Sequence, residues 1–466
     1  MLLSDSRYLI RGTEYSTQRG ENNYCSLLTG RWLLESIMKI LLIAPDRYWG
    51  KHRDNLKTPA ILAPPLGLLA VAALTPPDIE VSLIDERVEN IKFESDVNLV
   101  GMSVLTADAP RAYEIADNFR KRGVKVVLGG MHVSVLPYEA LNHSDSVVVG
   151  EAEELWPQLL SDFKRGTLKR IYSSTRFPNL SLVPPARTEL LRKGVRYIDM
   201  VQTTRGCRYN CNFCSVSSIQ GRTIRARPVD KVIEEIKKLN SRSLYIVDDN
   251  ILAKRSYAQR LFEALTPLKK SWLAQASFNL LNRENHLLKI ASRAGCKGIF
   301  IGLESISPSN LKEVNKTHNV VSKYREVIKK IHDFGLGVIG SFMFGFDGDD
   351  SSSFSRTLEF VRRVKIDLAS FTLLTPFPGT ELYRQMKKGG RIIERNWAKY
   401  DCAHVVFKPK KISPKELQQG LNWMYKEFYR LSGILTRTIH GLRYMRLFLP
   451  LNLAYRVVGK KGVAQI

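Results

Sequence analysis

Residues 203–216 read TTRGCRYNCNFCSV and carry three cysteines, Cys207, Cys211 and Cys214, at the spacing C-x3-C-x2-C. The preceding YIDMVQTT (197–204) reads as a strand. The cysteines therefore occupy a loop at its carboxyl end, where α/β barrels place their chemistry. Soft thiolates at short spacing wrap one face of a metal centre, and a four-iron cube normally takes one thiolate per iron. Three ligands leave one iron open to a small molecule. A structural zinc site wants four protein ligands, yet no other Cys or His lies between His143 and His286. A disulfide would strand an odd thiol and is foreign to a reducing compartment. Cys25 is assigned no role, Cys296 reads as a small buried hydrophobe and Cys402 as a bystander.

Outward from this loop, apolar runs at 198–202, 243–247, 273–278, 298–303, 336–343 and 369–374 alternate with helical stretches such as VDKVIEEIKKLN and VSKYREVIKKIHDFG. Six strand–helix units over 197–400 predict a partial barrel with an open side. Upstream, KILLIA (39–44), VSLID (81–85), VNLVGMSV (97–104), VKVVLGG (124–130) and SVVVG (146–150) alternate with helical segments. That pattern predicts a separate doubly wound, Rossmann-like parallel sheet over 38–165, so the fold class is α/β. In such sheets ligands sit outside the carboxyl ends of the strands. Ser103 and Thr106, then Gly129, Gly130 and His132, then Gly150 and Glu151 gather there. No G-x-G-x-x-G follows the first strand, which disfavours a dinucleotide. Residues 166–196, rich in Pro and Arg, read as a linker. Residues 1–37 show no sustained period and no signal peptide; they read as an unstructured extension or as translation from a start upstream of Met38.

The cysteine loop, with the aromatic Phe213 just before its last Cys, resembles the radical S-adenosylmethionine superfamily. The resemblance extends through IVDDN (246–250), GIFIGLESIS (298–307), GLGVIGSFMFGFDGDD (335–350) and LLTPFPGTEL (373–382). It implies a 4Fe-4S cluster on the three cysteines. It also implies S-adenosylmethionine held near Phe213, with Asp249 and Asn250 toward the amino group and Glu304 and Ser305 toward the ribose and methionine. Asp248, Asp249 and Glu304 have a plainer reading as helix caps or partners of Arg. The upstream half resembles the cobalamin-binding domain that precedes many of these enzymes, through PPLGLLAVAAL (64–74), GMSVLT (101–106), GGMHVSVLP (129–137) and VVVGEAEE (147–154). It implies cobalamin against Leu66, Gly67, Ser103, Thr106, Gly129, Gly130, His132, Gly150 and Glu151. The D-x-H-x-x-G of cobalt-ligating domains is missing, so the resemblance implies no His below cobalt; His52 reads as a solvated loop residue.

The resemblance implies reductive cleavage of S-adenosylmethionine to a 5′-deoxyadenosyl radical that abstracts hydrogen from an unactivated carbon. A methyl group would follow from methylcobalamin, remethylated by a second S-adenosylmethionine. Cyclisation or oxidation without methyl transfer stays open. An RNA-modifying enzyme of this superfamily suits a net charge of +26, but residues 38–206 hold no cysteine for a second cluster, and nucleic acid is disfavoured. A non-catalytic corrinoid carrier would not need the cysteine loop. Electrons would come from a donor such as flavodoxin or ferredoxin.

With 44% hydrophobic and 25% charged residues the chain has ordinary globular composition. No run of 18 apolar residues predicts a spanning helix. Residues 401–466 read as a helical, basic region. PKELQQGLNWMYKEFYRLS (414–432) aligns Leu417, Leu421, Met424 or Tyr425, and Phe428 on one face, and from Phe428 onward there are seven Lys or Arg and no Asp or Glu. Such a segment either closes the barrel's open side or adsorbs to an anionic membrane. The expected location is cytoplasmic, with peripheral contact at the inner membrane face and a small-molecule or lipid substrate.

Overall fold

The computed structural model describes residues 37–46, 62–94 and 96–461. The expected extension up to residue 36, Cys25 and His52 lie outside the described residues.

KILLIA forms β1 (Lys39–Ala44), whose alternate side chains feed two cores. Leu41 and Ile43 join one apolar cluster and Ile40 and Leu42 the other. A strand buried on both faces needs such an unbroken apolar run. With β2 (Glu80–Asp85), β3 (Leu99–Ser103), β4 (Lys125–Gly129), β5 (Ser146–Val149) and β6 (Ile171–Ser173) it builds a six-stranded sheet in the order β2-β1-β3-β4-β5-β6. All pairings are parallel. The order reverses direction at β1, the switch point at which α/β sheets open a ligand crevice. β6 comes from the stretch expected to be a linker: Ile171–Ser173 pairs with Val147–Val149 and extends the sheet instead.

β7 (Asp199–Val201) is followed by β8 (Thr204–Arg205) and β9 (Arg225–Ala226), a two-stranded antiparallel ribbon. The cysteines lie in the loop that this ribbon closes. β10 (Ser243–Ile246), β11 (Ser271–Gln275), β12 (Cys296–Glu304), β13 (Gly337–Phe344) and β14 (Leu368–Leu373) complete a second parallel sheet, ordered β14-β13-β12-β11-β10-β7. β7 and β14 are its two edges, so this is an open part-barrel. Cys296, at the start of β12, is buried as expected.

The helix Pro414–Phe428 starts on a capping box, with Ser413 Oγ accepting from the Glu416 amide and Glu416 accepting from the Ser413 amide. Leu417, Leu421, Met424, Tyr425 and Phe428 are buried in the core of the part-barrel. Two tyrosines from this region occupy the open edge of β14. Tyr425 O–H donates to Phe371 O at 2.9 Å and accepts from Phe371 N–H at 3.2 Å. Tyr429 O–H donates to Ala369 O at 2.6 Å and accepts from Ala369 N–H at 3.1 Å. An uncovered edge strand presents unpaired backbone groups; these hydroxyls pair four of them. Tyr425→Phe and Tyr429→Phe are each expected to destabilise the protein by about 1–3 kcal/mol, the cost of leaving buried donors and acceptors unmade. A fall in denaturant midpoint at constant m-value checks this.

Candidate active site

A cavity of about 610 Å³ lies between the carboxyl ends of the first sheet and the β7–β10 side of the second. Leu66 and Gly67 line it from the helix Leu66–Ala73, Ser103 from the end of β3, Gly129 and Gly130 from the end of β4, and Gly150 and Glu151 after β5. Met200, Gln202, Val247 and Asp249 line it from the β7 and β10 side of the second sheet and Arg205 from the ribbon. The wall on the side of the first sheet combines glycines and serines at the strand ends with apolar side chains such as Leu105, Val148 and Trp156. Gly130 is required by its own backbone packing: at φ +95° a Cβ would stand 2.7 Å from Val104 N and 2.9 Å from Val104 O. Only Gly accepts both that backbone conformation and that approach. A cradle of this kind fits a large flat ligand such as a corrin.

Two residues expected at this ligand do not reach it. Thr106 and His132 are buried behind the cavity. The His132 ring places Nδ1 3.3 Å from Thr106 Oγ1 and Nε2 3.2 Å from Glu139 Oε1. Glu139 also accepts from Tyr113 O–H at 2.9 Å and Trp397 Nε1–H at 3.0 Å. The short helix that starts at Met131 carries His132 inward, and with both ring nitrogens partnered it serves packing. Trp397, from beyond β14, makes that network a tie between the two halves. Glu151 does line the cavity, but its carboxylate is taken. Arg205 Nη1 lies 2.6 Å from it and Arg225 Nη1 2.9 Å, and Arg205 also pairs with Glu153 at 2.6 Å. Glu151 thus clamps both strands of the ribbon around the cysteine loop.

The loop is stitched down at several points. Asn212 N–H donates to Val314 O at 3.0 Å and Asn212 O accepts from Leu382 N–H at 2.9 Å. Arg208 Nη2 donates to Ala253 O at 2.9 Å, and Tyr209 O–H to Asn279 Oδ1 at 2.8 Å. Gly206, at φ +91°, passes so close to Thr223 that a Cβ would meet its carbonyl oxygen at 2.4 Å. Ahead of the loop, Asp248 is almost wholly buried at the end of β10. It accepts from Thr203 N–H at 2.6 Å, Thr203 O–H at 2.5 Å, Thr204 N–H at 3.0 Å and Thr204 O–H at 2.8 Å.

Burial raises the pKa of all three thiols, that of Cys211 to about 12. Each feels the charge of another cysteine or of Asp249, so they stand near one another. No trio of His, Cys, Asp or Glu among the described residues closes around a single ion. Three free thiols on one short loop suit a cube, which puts each on its own iron. Metal must displace the protons that burial retains. Lys316, which sequence reasoning missed, lies beside them, its Nζ 5.7 Å from the Phe213 ring centroid and 2.6 Å from Glu304 Oε1. Burial opposes its charge, but Glu304 and the thiols of Cys211 and Cys214 hold its pKa above the ordinary value. Nothing in its sequence neighbourhood, LKEVNKTHN, marks it.

Among the residues expected near the sulfonium ligand, Asp249 is best placed. It lines the cavity, Cys207 and Cys214 feel its charge, and its Oδ2 is buried with no hydrogen-bond partner. Burial and then Asp248 raise its pKa to about 6. That orphan oxygen suits an ammonium donor. Glu304 sits at φ +63° at a register shift between β12 and β13, a strained backbone of the sort that accompanies functional positions. Ser305 Oγ accepts from Asn310 Nδ2 at 3.2 Å and Ser307 N–H at 3.1 Å, leaving its own proton to offer. Asn250 does not offer its amide to the site: Nδ2 donates to Ser277 Oγ at 3.0 Å and Oδ1 accepts from Ser277 N–H at 3.2 Å. It ties β10 to the segment after β11.

His318 stacks on Tyr209 with centroids 3.8 Å apart. Burial and then the Lys316 ammonium lower its pKa to about 4 from 6.5. The unfolded chain therefore binds a proton that the folded protein resists, and stability falls as pH drops from 6.5 toward 4. His318→Phe keeps the stack and is expected to remove that part of the slope. Denaturant titrations of both proteins across the window check it; identical slopes count against it.

Residues 53–160 match the B12 binding domain and 201–361 the Radical SAM superfamily. The bacteriochlorophyllide d C-12(1)-methyltransferase of Chlorobaculum tepidum is 33% identical over 416 residues, 86% of this chain and 90% of the relative. The chain belongs to the cobalamin-binding radical S-adenosylmethionine enzymes. The bacteriochlorophyllide d C-8(2)-methyltransferase of the same organism is also 33% identical, over 86% of this chain and 92% of its own. The solved structure of the cobalamin-dependent radical enzyme OxsB with aqua-cobalamin and S-adenosylmethionine shares the fold. Its TM-score is 0.67 at 15% identity, over 90% of this chain and 72% of that one. This radical S-adenosylmethionine methyltransferase accordingly uses a 4Fe-4S cluster, S-adenosylmethionine and cobalamin.

Proposed function

We propose that this enzyme methylates an unactivated carbon of a hydrophobic small molecule, a lipid, an isoprenoid or another secondary metabolite. The observation that carries the reading is Asp249, one residue that lines the cavity and also stands within electrostatic reach of the cysteines. In this reading Cys207, Cys211 and Cys214 hold the cluster and Asp249 takes the ammonium of S-adenosylmethionine. Phe213, Glu304 and Ser305 flank the rest of that molecule, with Lys316 orienting Glu304. Leu66, Gly67, Ser103, Gly129, Gly130 and Gly150 make the corrin's bed. When bound, these groups supply a carbon radical and a transferable methyl group. The protein's share is to place the two ligands against one wall, keep the cysteine loop rigid and exclude water.

The two Chlorobaculum relatives are named for methyl transfer to a carbon of bacteriochlorophyllide d, which favours methylation over cyclisation or oxidation. The enzyme works in the cytoplasm on electrons from a flavodoxin- or ferredoxin-type donor, with peripheral contact at the membrane. Anaerobic turnover with S-adenosylmethionine deuterated in its methyl group tests the reading: the substrate is expected to gain the labelled methyl as 5′-deoxyadenosine is released. Release of 5′-deoxyadenosine with a product of unchanged carbon count would overturn methylation and leave cyclisation or oxidation.

A further inference from the structure

We propose that the helix Leu431–His440 and the turn after it form a docking surface for an anionic lipid bilayer. One face of this helix holds it to the protein. Ile434 is buried, and the Arg437 guanidinium sits 3.9 Å from the Phe428 ring centroid. Arg437 also donates to Asn452 Oδ1 at 2.8 and 3.1 Å and to Phe428 O at 2.9 Å. The other face carries Leu431, Leu435 and Ile439 at four-residue spacing, continued by Leu442, and they are 53%, 62%, 67% and 66% exposed. An anchored helix with a contiguous aliphatic row turned outward marks an interaction surface.

Charge selects the occupant. Arg443 and Arg446, which follow the row in the chain, are exposed, the Arg443 guanidinium resting against Gly335, and no Asp or Glu occurs from Phe428 to the last residue. A second copy seated on this face would bring arginines against arginines with no acid in the segment to offset them, and like charges across an interface oppose association. Anionic headgroups complement the arginines while the aliphatic row enters the acyl boundary. No helix among the described residues is long and apolar enough to cross a membrane, so the contact rests on the surface. This goes beyond the proposed chemistry and brings the enzyme to the phase in which a hydrophobic substrate dissolves.

Flotation of the anaerobically reconstituted full chain tests it, with vesicles of phosphatidylcholine alone or mixed with phosphatidylglycerol. Wild type is expected to float with the mixed vesicles at low salt and to be partly released at high salt. Arg443→Gln with Arg446→Gln should lower partitioning to the mixed vesicles about thirtyfold. Leu435→Ser with Ile439→Ser should lower it about tenfold or more. Because these side chains are exposed, thermal melts should stay at the wild-type midpoint and rule out misfolding. Flotation that ignores phosphatidylglycerol, or survives the Ser pair undiminished, overturns the proposal. So does a dimer in light scattering that the Ser pair dissolves while vesicles capture none. The readout involves no methyl transfer, so its failure leaves the proposed activity standing.

Discussion

Replacing Cys207, Cys211 or Cys214 by Ala, one at a time, is expected to strip the reconstituted protein of its iron and to end 5′-deoxyadenosine formation. Partners one shell outside a metal ligand already change affinity about 10–100-fold, and loss of a direct thiolate exceeds that. The three sites are held by different elements: Cys207 follows the ribbon strand β8, the Cys211–Cys214 turn is closed by the Cys214 N–H to Cys211 O bond at 3.0 Å, and Asn212 ties that turn to Val314 and Leu382. Among the described residues the other cysteines are Cys296 and Cys402. Cys296→Ala is the internal control, since that thiol is buried in β12 with its S–H directed to Gly298 O at 3.5 Å. It should keep full iron and cleavage. Iron assay and anaerobic chromatography of the adenosyl product measure both. Undiminished iron in the triple Ala variant would end the enzyme reading of the cysteine loop.

Asp248→Asn is expected to destabilise the protein by about 3 kcal/mol or more and to lower cluster occupancy at least severalfold, although Asp248 is not itself placed against a ligand. The carboxylate accepts two N–H and two O–H groups from Thr203 and Thr204, all buried. An amide of the same shape turns an NH2 group toward donors. Each buried group left unmade costs about 1–3 kcal/mol, and a partly satisfied buried network is worse than its pairs suggest. Burial works against the charge on Asp248 while the four donors favour it. Thr203 and Thr204 lead into the ribbon that frames the cysteines, so the disturbance reaches the metal site through the backbone. Denaturation of the cluster-free protein and iron content after reconstitution separate the two effects. A variant that melts like wild type would overturn this role, and one that melts early yet fills with iron would confine it to stability.

The chemistry was largely legible along the chain because it depends on local spacing. C-x3-C-x2-C keeps its meaning wherever the loop sits, and β-branched runs alternating with amphipathic helices allow few arrangements other than parallel sheets. Positions just past strand ends were also good guides, as Ser103, Gly129, Gly130 and Gly150 line the cavity. The same rule failed for Thr106 and His132, because the short turn Thr106–Asp108 after β3 and the helix Met131–Val135 after β4 each carry the side chain from the crevice into the core. It failed for Asn250 because the amide found Ser277 across the sheet, a contact between residues far apart in the chain.

By itself the sequence determined the α/β class, the two sheets, the cluster motif and the family, since each follows from residue type and short-range periodicity. Only the tertiary structure decided how those parts are assigned. It spent Glu151 on Arg205 and Arg225, brought Lys316 to the cysteines, placed Tyr425 and Tyr429 on the edge of β14, and turned Leu435 and Ile439 outward. Buried charges and backbone groups must find partners wherever the fold puts them, and partners separated by 12 to 74 residues leave no periodicity to read.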